Sequence, residues 1–78
     1  MKFSYDPRYN IAYIRIKERK ENVTTIHISE SLNIDLTPDG TLYGIELLNA
    51  NEQLFEHNSN QFIIENEATG KISNVSLV

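Results

Sequence analysis

The chain has 78 residues, seven basic against eleven acidic side chains, a net charge of −4 and no cysteine. That length holds one small domain and no second core, and 40% hydrophobic with 23% charged residues is a globular rather than an unfolded balance. The missing cysteines exclude disulfide frameworks, thiolate metal sites and cysteine nucleophiles.

A stability on the order of 4 to 12 kcal/mol is expected for this length, small enough for burial against another surface to matter. Self-association, as a homo-oligomer, is therefore an expectation. The first ten residues carry Lys2, Asp6 and Arg8 without an apolar stretch, and no apolar run approaches a membrane-spanning length. A cytoplasmic protein without membrane association is expected, so the acceptor-like triplets at Asn22 and Asn74 are read as chance matches.

Charge is unevenly spread. Residues 1–44 carry six basic and six acidic side chains, whereas residues 45–78 carry Lys71 alone against Glu46, Glu52, Glu56, Glu65 and Glu67. Nothing supplies a basic stripe beyond Arg15, Lys17, Arg19 and Lys20, so direct nucleic-acid binding is not expected.

In chain order, Phe3 and Tyr5 alternate with polar neighbours, and Asp6-Pro7-Arg8-Tyr9-Asn10 reverses the chain through a turn-capping aspartate, a proline of fixed φ and an asparagine tolerant of the left-handed region. The next strand sets Ala12, Ile14 and Ile16 on one side and Tyr13, Arg15 and Lys17 on the other. Five polar residues, 18–22, form an exposed loop. Thr24, Ile26 and Ile28 alternate with polar residues, as do Leu32, Ile34 and Leu36, with even positions inward; this reads as one long bent strand or two short ones joined by a bulge.

Thr37-Pro38-Asp39-Gly40 is the strongest turn signal in the chain, and it closes a hairpin onto a strand over 41–48. There Tyr43, Ile45 and Leu47 share one face; Leu42 and Leu48 on the opposite face suggest that a further element covers it. Asn49 followed by Glu52 resembles a capping box and predicts a short helix to about residue 57, with Leu54 and Phe55 buried. After the break at 58–60, two short β-branched runs flanking Gly70 predict a terminal hairpin. The expected fold class is α+β, mostly β: an antiparallel sheet of four to six strands with one short helix.

Two stretches resemble a known family. Tyr5-Asp6-Pro7-Arg8-Tyr9-Asn10-Ile11-Ala12-Tyr13-Ile14-Arg15-Ile16 is similar to the signature YDxxxDxxYIxL, and residues 33–50, with Asp39-Gly40 and Gly44-Ile45-Glu46, are similar to DxxGxLxGIEIL. Both signatures belong to a family of small prokaryotic domains of unknown function, and the likeness spans residues 3–51. The resemblance implies a compact β-rich α+β domain with no established activity, often encoded beside small ribonuclease-toxin-like proteins. Asn10 departs from the aspartate usual in the family, which weakens any carboxylate cluster with Asp6. The chain is thus read as a single domain, 1–78, with a family-like core over 3–51 and an acidic tail over 52–78.

The candidate sites are few. Asp6 invites a catalytic role, but capping of the turn at Pro7 explains it without chemistry. Asp35 and Glu46 face each other across the 39–40 hairpin, where two carboxylates can raise one pKa or hold a cation, although such a pair is more often solvated or offset by Arg15 or Lys17. Gly44 marks a bulge or close backbone approach rather than a ligand site. His27 and His57 lack a ligand spacing, no serine sits in a glycine-flanked elbow, and three glycines make no phosphate loop. No catalytic, metal or cofactor residue is assigned. Tyr9, Tyr13 and Tyr43 are weighed as an outer aromatic patch against ordinary cross-strand packing, and Tyr13, Tyr43, Glu52, Glu56, Glu65 and Glu67 are the candidate partner surface. The leading expectation is a non-enzymatic interaction module, antitoxin-like, for a small basic protein; the alternatives are a carboxylate-based hydrolase or metal enzyme using Asp6, Asp35 and Glu46, and a structural homo-oligomer.

Overall fold

The period-two alternation in the first half of the chain folds as a sheet. A computed structural model describes residues 1–55 and 60–77. It contains strands β1 (Lys2–Asp6), β2 (Ile11–Arg15), β3 (Thr24–Ser29), β4 (Leu32–Leu36) and β5 (Leu42–Leu48), helix α1 (Ala50–Leu54), and strands β6 (Gln61–Asn66) and β7 (Lys71–Ser76). The first five form one antiparallel sheet in the order β1-β2-β5-β4-β3, and β6 and β7 form a separate two-stranded sheet. An N-terminal hairpin and a three-strand meander therefore join edge to edge through β2 and β5. The segment 16–23, exposed from Glu18 onward, carries the chain from β2 to the far edge of the sheet. The expected mostly β α+β architecture is observed, with five strands in the main sheet.

Register sorts the side chains. Phe3, Ile14, Ile45, Ile34 and Ile26 are successive cross-strand partners and make one apolar row across all five strands. Tyr5, Ala12, Leu47 and Leu32 form the next row on that face. The opposite face is polar: Ser4, Tyr13, Glu46, Asn33 and His27 align in one row, and Lys2, Arg15, Gly44, Asp35 and Thr25 in another.

Four expectations need correction. Residues 24–36 are neither one bent strand nor two strands in line, because the chain reverses at Glu30 and Ser31 and β3 pairs antiparallel with β4. The serine and glutamate break is a hairpin turn, in which Ser29 Oγ accepts the Ser31 N–H. The alternation through Tyr43 also stops short: Asp35 pairs with Gly44 and Leu36 with Leu42, so β5 carries Tyr43 as an extra residue in a bulge.

The third correction concerns the helix start. Asn49 lies in the left-handed region at φ 53° and makes no side-chain capping bond, so there is no capping box. Asn10, also left-handed at φ 58°, caps the helix from the distant β1–β2 turn. Its Oδ1 accepts the Asn51 N–H at 2.6 Å, its carbonyl accepts the Ala50 N–H at 3.0 Å, and its Nδ2 donates to Glu52 at 2.9 Å. Fourth, α1 does not cover a shared Leu42 and Leu48 face, because the bulge pairs Leu42 with Leu36 on the apolar side while Leu48 pairs with Ile11 on the other. It packs on the apolar side, where the Phe55 ring meets Tyr5 edge-on at 5.1 Å and the Tyr5 hydroxyl donates to Asn51 Oδ1. The helix extends to Leu54 with Phe55 as its C-terminal cap; the expected continuation to His57 lies outside the described residues.

The turns follow their sequences. Gly40 takes φ 84° while its N–H donates to the Thr37 carbonyl at 2.9 Å. The terminal hairpin turns at residues 67–70, where Gly70 takes φ 75° and donates to the Asn66 carbonyl. Burial is shallow. Among the described residues the only buried apolar side chains are Ala12 and Ala50, at 1% and 0% exposure, and no large side chain is fully buried.

Candidate functional site

The polar face of the sheet gathers most of the candidate catalytic residues, and Gly44 explains how. With no side chain at Gly44, the Tyr13 ring crosses that position from β2 and its hydroxyl donates to Asp35 Oδ2 on β4 at 2.6 Å. Thr25 on β3 donates to the other Asp35 oxygen, also at 2.6 Å. A second chain runs beside it: His27 Nδ1 donates to Asn33 Oδ1 at 2.6 Å, and Asn33 Nδ2 donates to Glu46 Oε1 at 2.9 Å. Burial, the bond to Asp35, and the negative charges of Asp35, Tyr43 and Glu46 raise the Tyr13 pKa far above the usual tyrosine value. A proton held that firmly is structural, not a group poised for transfer near neutral pH.

Asp35 and Glu46 thus share a face, each engaged by its own neutral donors. Asp6 belongs to another place. It ends β1 and closes the turn: Oδ1 accepts the Arg8 N–H at 2.9 Å and Nε–H at 3.1 Å, and Oδ2 accepts Nη2–H at 3.0 Å. These Arg8 contacts hold the Asp6 pKa below its ordinary value. Among the described residues no three acidic or histidine side chains stand close enough together to hold a metal ion. Tyr9 lies in the same turn with the Arg8 guanidinium 5.6 Å above its ring, and Tyr13 is committed to Asp35.

The remaining candidate partner residues lie elsewhere. Glu52 is exposed in the first turn of α1, its pKa lowered chiefly by the Asn10 bond. Glu65 on β6 and Glu67 in the hairpin turn are exposed; Glu56 lies outside the described residues. The hairpin has two apolar sides. Phe62, Ile64, Val75 and Leu77 face Phe3 and Ile14 of the main sheet across an open apolar groove of about 240 Å³. Ile63 and Ile72, on the other side, are 63% and 57% exposed, and Glu65 is the cross-strand partner of Ile72.

Sequence reasoning located the polar residues but passed over the apolar row as ordinary core. Its signal was present in the small number of apolar segments left over to cover five strands. No described helix is long and apolar enough to cross a membrane. No curated protein and no solved structure matches the chain. The sequence profile of the family described as protein of unknown function DUF2283 matches residues 2–51, which are the five-stranded sheet and the start of α1. The chain therefore belongs to the DUF2283 family, with the β6–β7 hairpin lying beyond the matched segment.

Proposed function

We propose that this domain is a non-enzymatic protein-interaction module, antitoxin-like in character, whose acidic second half receives a small basic protein. The observation that carries the reading is the outer side of the β6–β7 hairpin. Two isoleucines stand more than half exposed there, with Glu65 on β6 opposite Ile72 and Glu67 at the turn. Apolar anchors with a charged rim are what a docking surface for a basic partner requires: the anchors set the residence time and the rim sets the encounter rate. The polar face supports the non-enzymatic part, since its carboxylates are held by neutral donors and Asp6 is bound to Arg8 at the end of β1.

The test uses the basic protein that co-purifies with the native chain. Replacing Glu52, Glu56, Glu65 and Glu67 by glutamine is expected to leave the melting temperature nearly unchanged, slow association about tenfold at low salt, and flatten its salt dependence. Ile63→Asp is expected to speed dissociation instead. Unchanged association kinetics in the fourfold variant would show that the charge asymmetry serves solubility alone.

A further inference from the structure

The five-stranded sheet is a single layer, and among the described residues only helix α1 and the β6–β7 hairpin, which stands across the open groove from Phe3 and Ile14, approach its apolar side. Helix α1 shields the Tyr5 and Ala12 end, but Phe3 and Ile26, at opposite ends of the apolar row, are 37% and 41% exposed, and Ile14, Ile34 and Ile45 between them are only half-buried. A stable layered domain buries such a face against another layer. We propose that the second layer is the same face of a second copy of this chain, packed sheet on sheet.

The size of the exposed surface supports one copy as the occupant. The chain exposes 6005 Å², whereas a folded monomer of its mass, 9.0 kDa, exposes about 4,850 Å² by the scaling of surface with mass. If that excess of about 1,150 Å² per chain is what pairing buries, two copies bury about 2,300 Å², in the range of obligate homodimers. The radius of gyration agrees: 14.0 Å against about 11.5 Å for a self-contained domain of this length.

Chemistry favours a copy of itself over the basic protein proposed for the hairpin. The strand positions that register places on this face carry no charged side chain, so it offers a basic partner nothing, while an uncharged apolar row is complementary to its own image. The inner side of the hairpin, with Phe62, Ile64 and Val75 about half exposed, faces Phe3 and Ile14 across the open groove and so borders the stretch of the row, from Ile45 to Ile26, that a second copy covers. Ile45, central in the row on the central strand, lies at the middle of the contact.

Sedimentation of the wild-type chain at about 100 μM is expected to give about 18 kDa, twice the monomer mass. Ile26→Asp and Phe3→Asp are expected to halve that mass or to unfold the chain. Ile63→Asp, on the outer side of the hairpin, is expected to keep the pair. If the interface variants unfold, the wild type still decides, because a dimer that unfolds to monomers melts several degrees higher at 100 μM than at 1 μM and a monomer does not. A monomeric wild type, a concentration-independent melt, or an unaltered pair in both interface variants would overturn the proposal. Binding of the basic protein is read separately, so either outcome there leaves this test standing.

Discussion

Tyr13 occupies the space that a side chain at Gly44 would fill: a methyl group placed there would stand 2.8 Å from Tyr13 Cε1 and closer still to the hydroxyl. The pairing lets a residue of β2 reach across β5 to Asp35 on β4, tying the N-terminal hairpin to the meander. Gly44→Ala is therefore expected to cost roughly 1–3 kcal/mol by overpacking. Tyr13→Phe keeps the ring and loses the bond, at about 1 kcal/mol. Denaturant unfolding of both variants and of their combination checks the link: the double variant should cost less than the two single losses added, because Gly44→Ala already displaces the hydroxyl. Strict additivity would contradict it.

The same tyrosine sets the alkaline limb of stability. Its folded pKa is raised above the unfolded value of about 10. The sign is then fixed: the unfolded chain releases this proton first, so the contribution is fully present below about pH 10 and is lost as pH rises further. Ultraviolet titration should show one tyrosine ionising only with unfolding, and Tyr13→Phe should remove that feature.

At the acid end Asp39 matters. Its carboxylate accepts from the Thr37 hydroxyl, the Thr41 hydroxyl at 2.8 Å and the Thr41 N–H at 3.1 Å, and the pKa falls to about 2, chiefly through the Thr37 bond. A depressed carboxylate stabilises above its unfolded pKa, near 4, and loses that contribution as pH falls toward 2. Asp39→Ala should melt lower than wild type at pH 7, and the gap should narrow across that window. A gap unchanged down to pH 2 would show that the carboxylate charge contributes nothing.

Asn10 carries both a left-handed backbone and a cap. Asn10→Ala loses both and is expected to cost about 1–2 kcal/mol, whereas Asn10→Gly keeps the backbone freedom and should cost less. An aspartate at this position retains the acceptor for the Asn51 N–H but loses the donor to Glu52. Asn10→Asp should therefore raise the Glu52 pKa, which carboxyl chemical shifts against pH would report. An unmoved Glu52 titration would contradict this link.

How much of this was legible in the sequence depended on range. Turns encoded by contiguous residues, at 6–10, 37–40 and 67–70, were readable because each position states its own backbone demand. The strands were readable from alternation, and Gly44 as a point of close approach. What escaped were the pairings made across the chain. Asn10 caps a helix 41 residues away, and nothing local at Asn49 reveals that a nearer asparagine is redundant. The side on which α1 packs depends on Tyr5 meeting Phe55, a contact between the first strand and the end of the helix. At Glu30 and Ser31 a two-residue reversal and a bulge leave the same alternation of even positions, so pattern alone did not separate them. For the candidate site, the grouping of Asp35 and Glu46 on one face followed from counting, but the separation of Asp6 required the register of β1.

The apolar face can be watched directly by carbene footprinting of the wild-type chain across a dilution series. If two copies meet there, labelling of Phe3 and Ile26 should be strongly suppressed at about 100 μM and should rise on dilution below the dissociation constant, while Thr25 and His27 on the polar face label equally throughout. Equal labelling of Phe3 and Ile26 at every concentration would show that the apolar face of the sheet stays open, contradicting its role as the contact between copies.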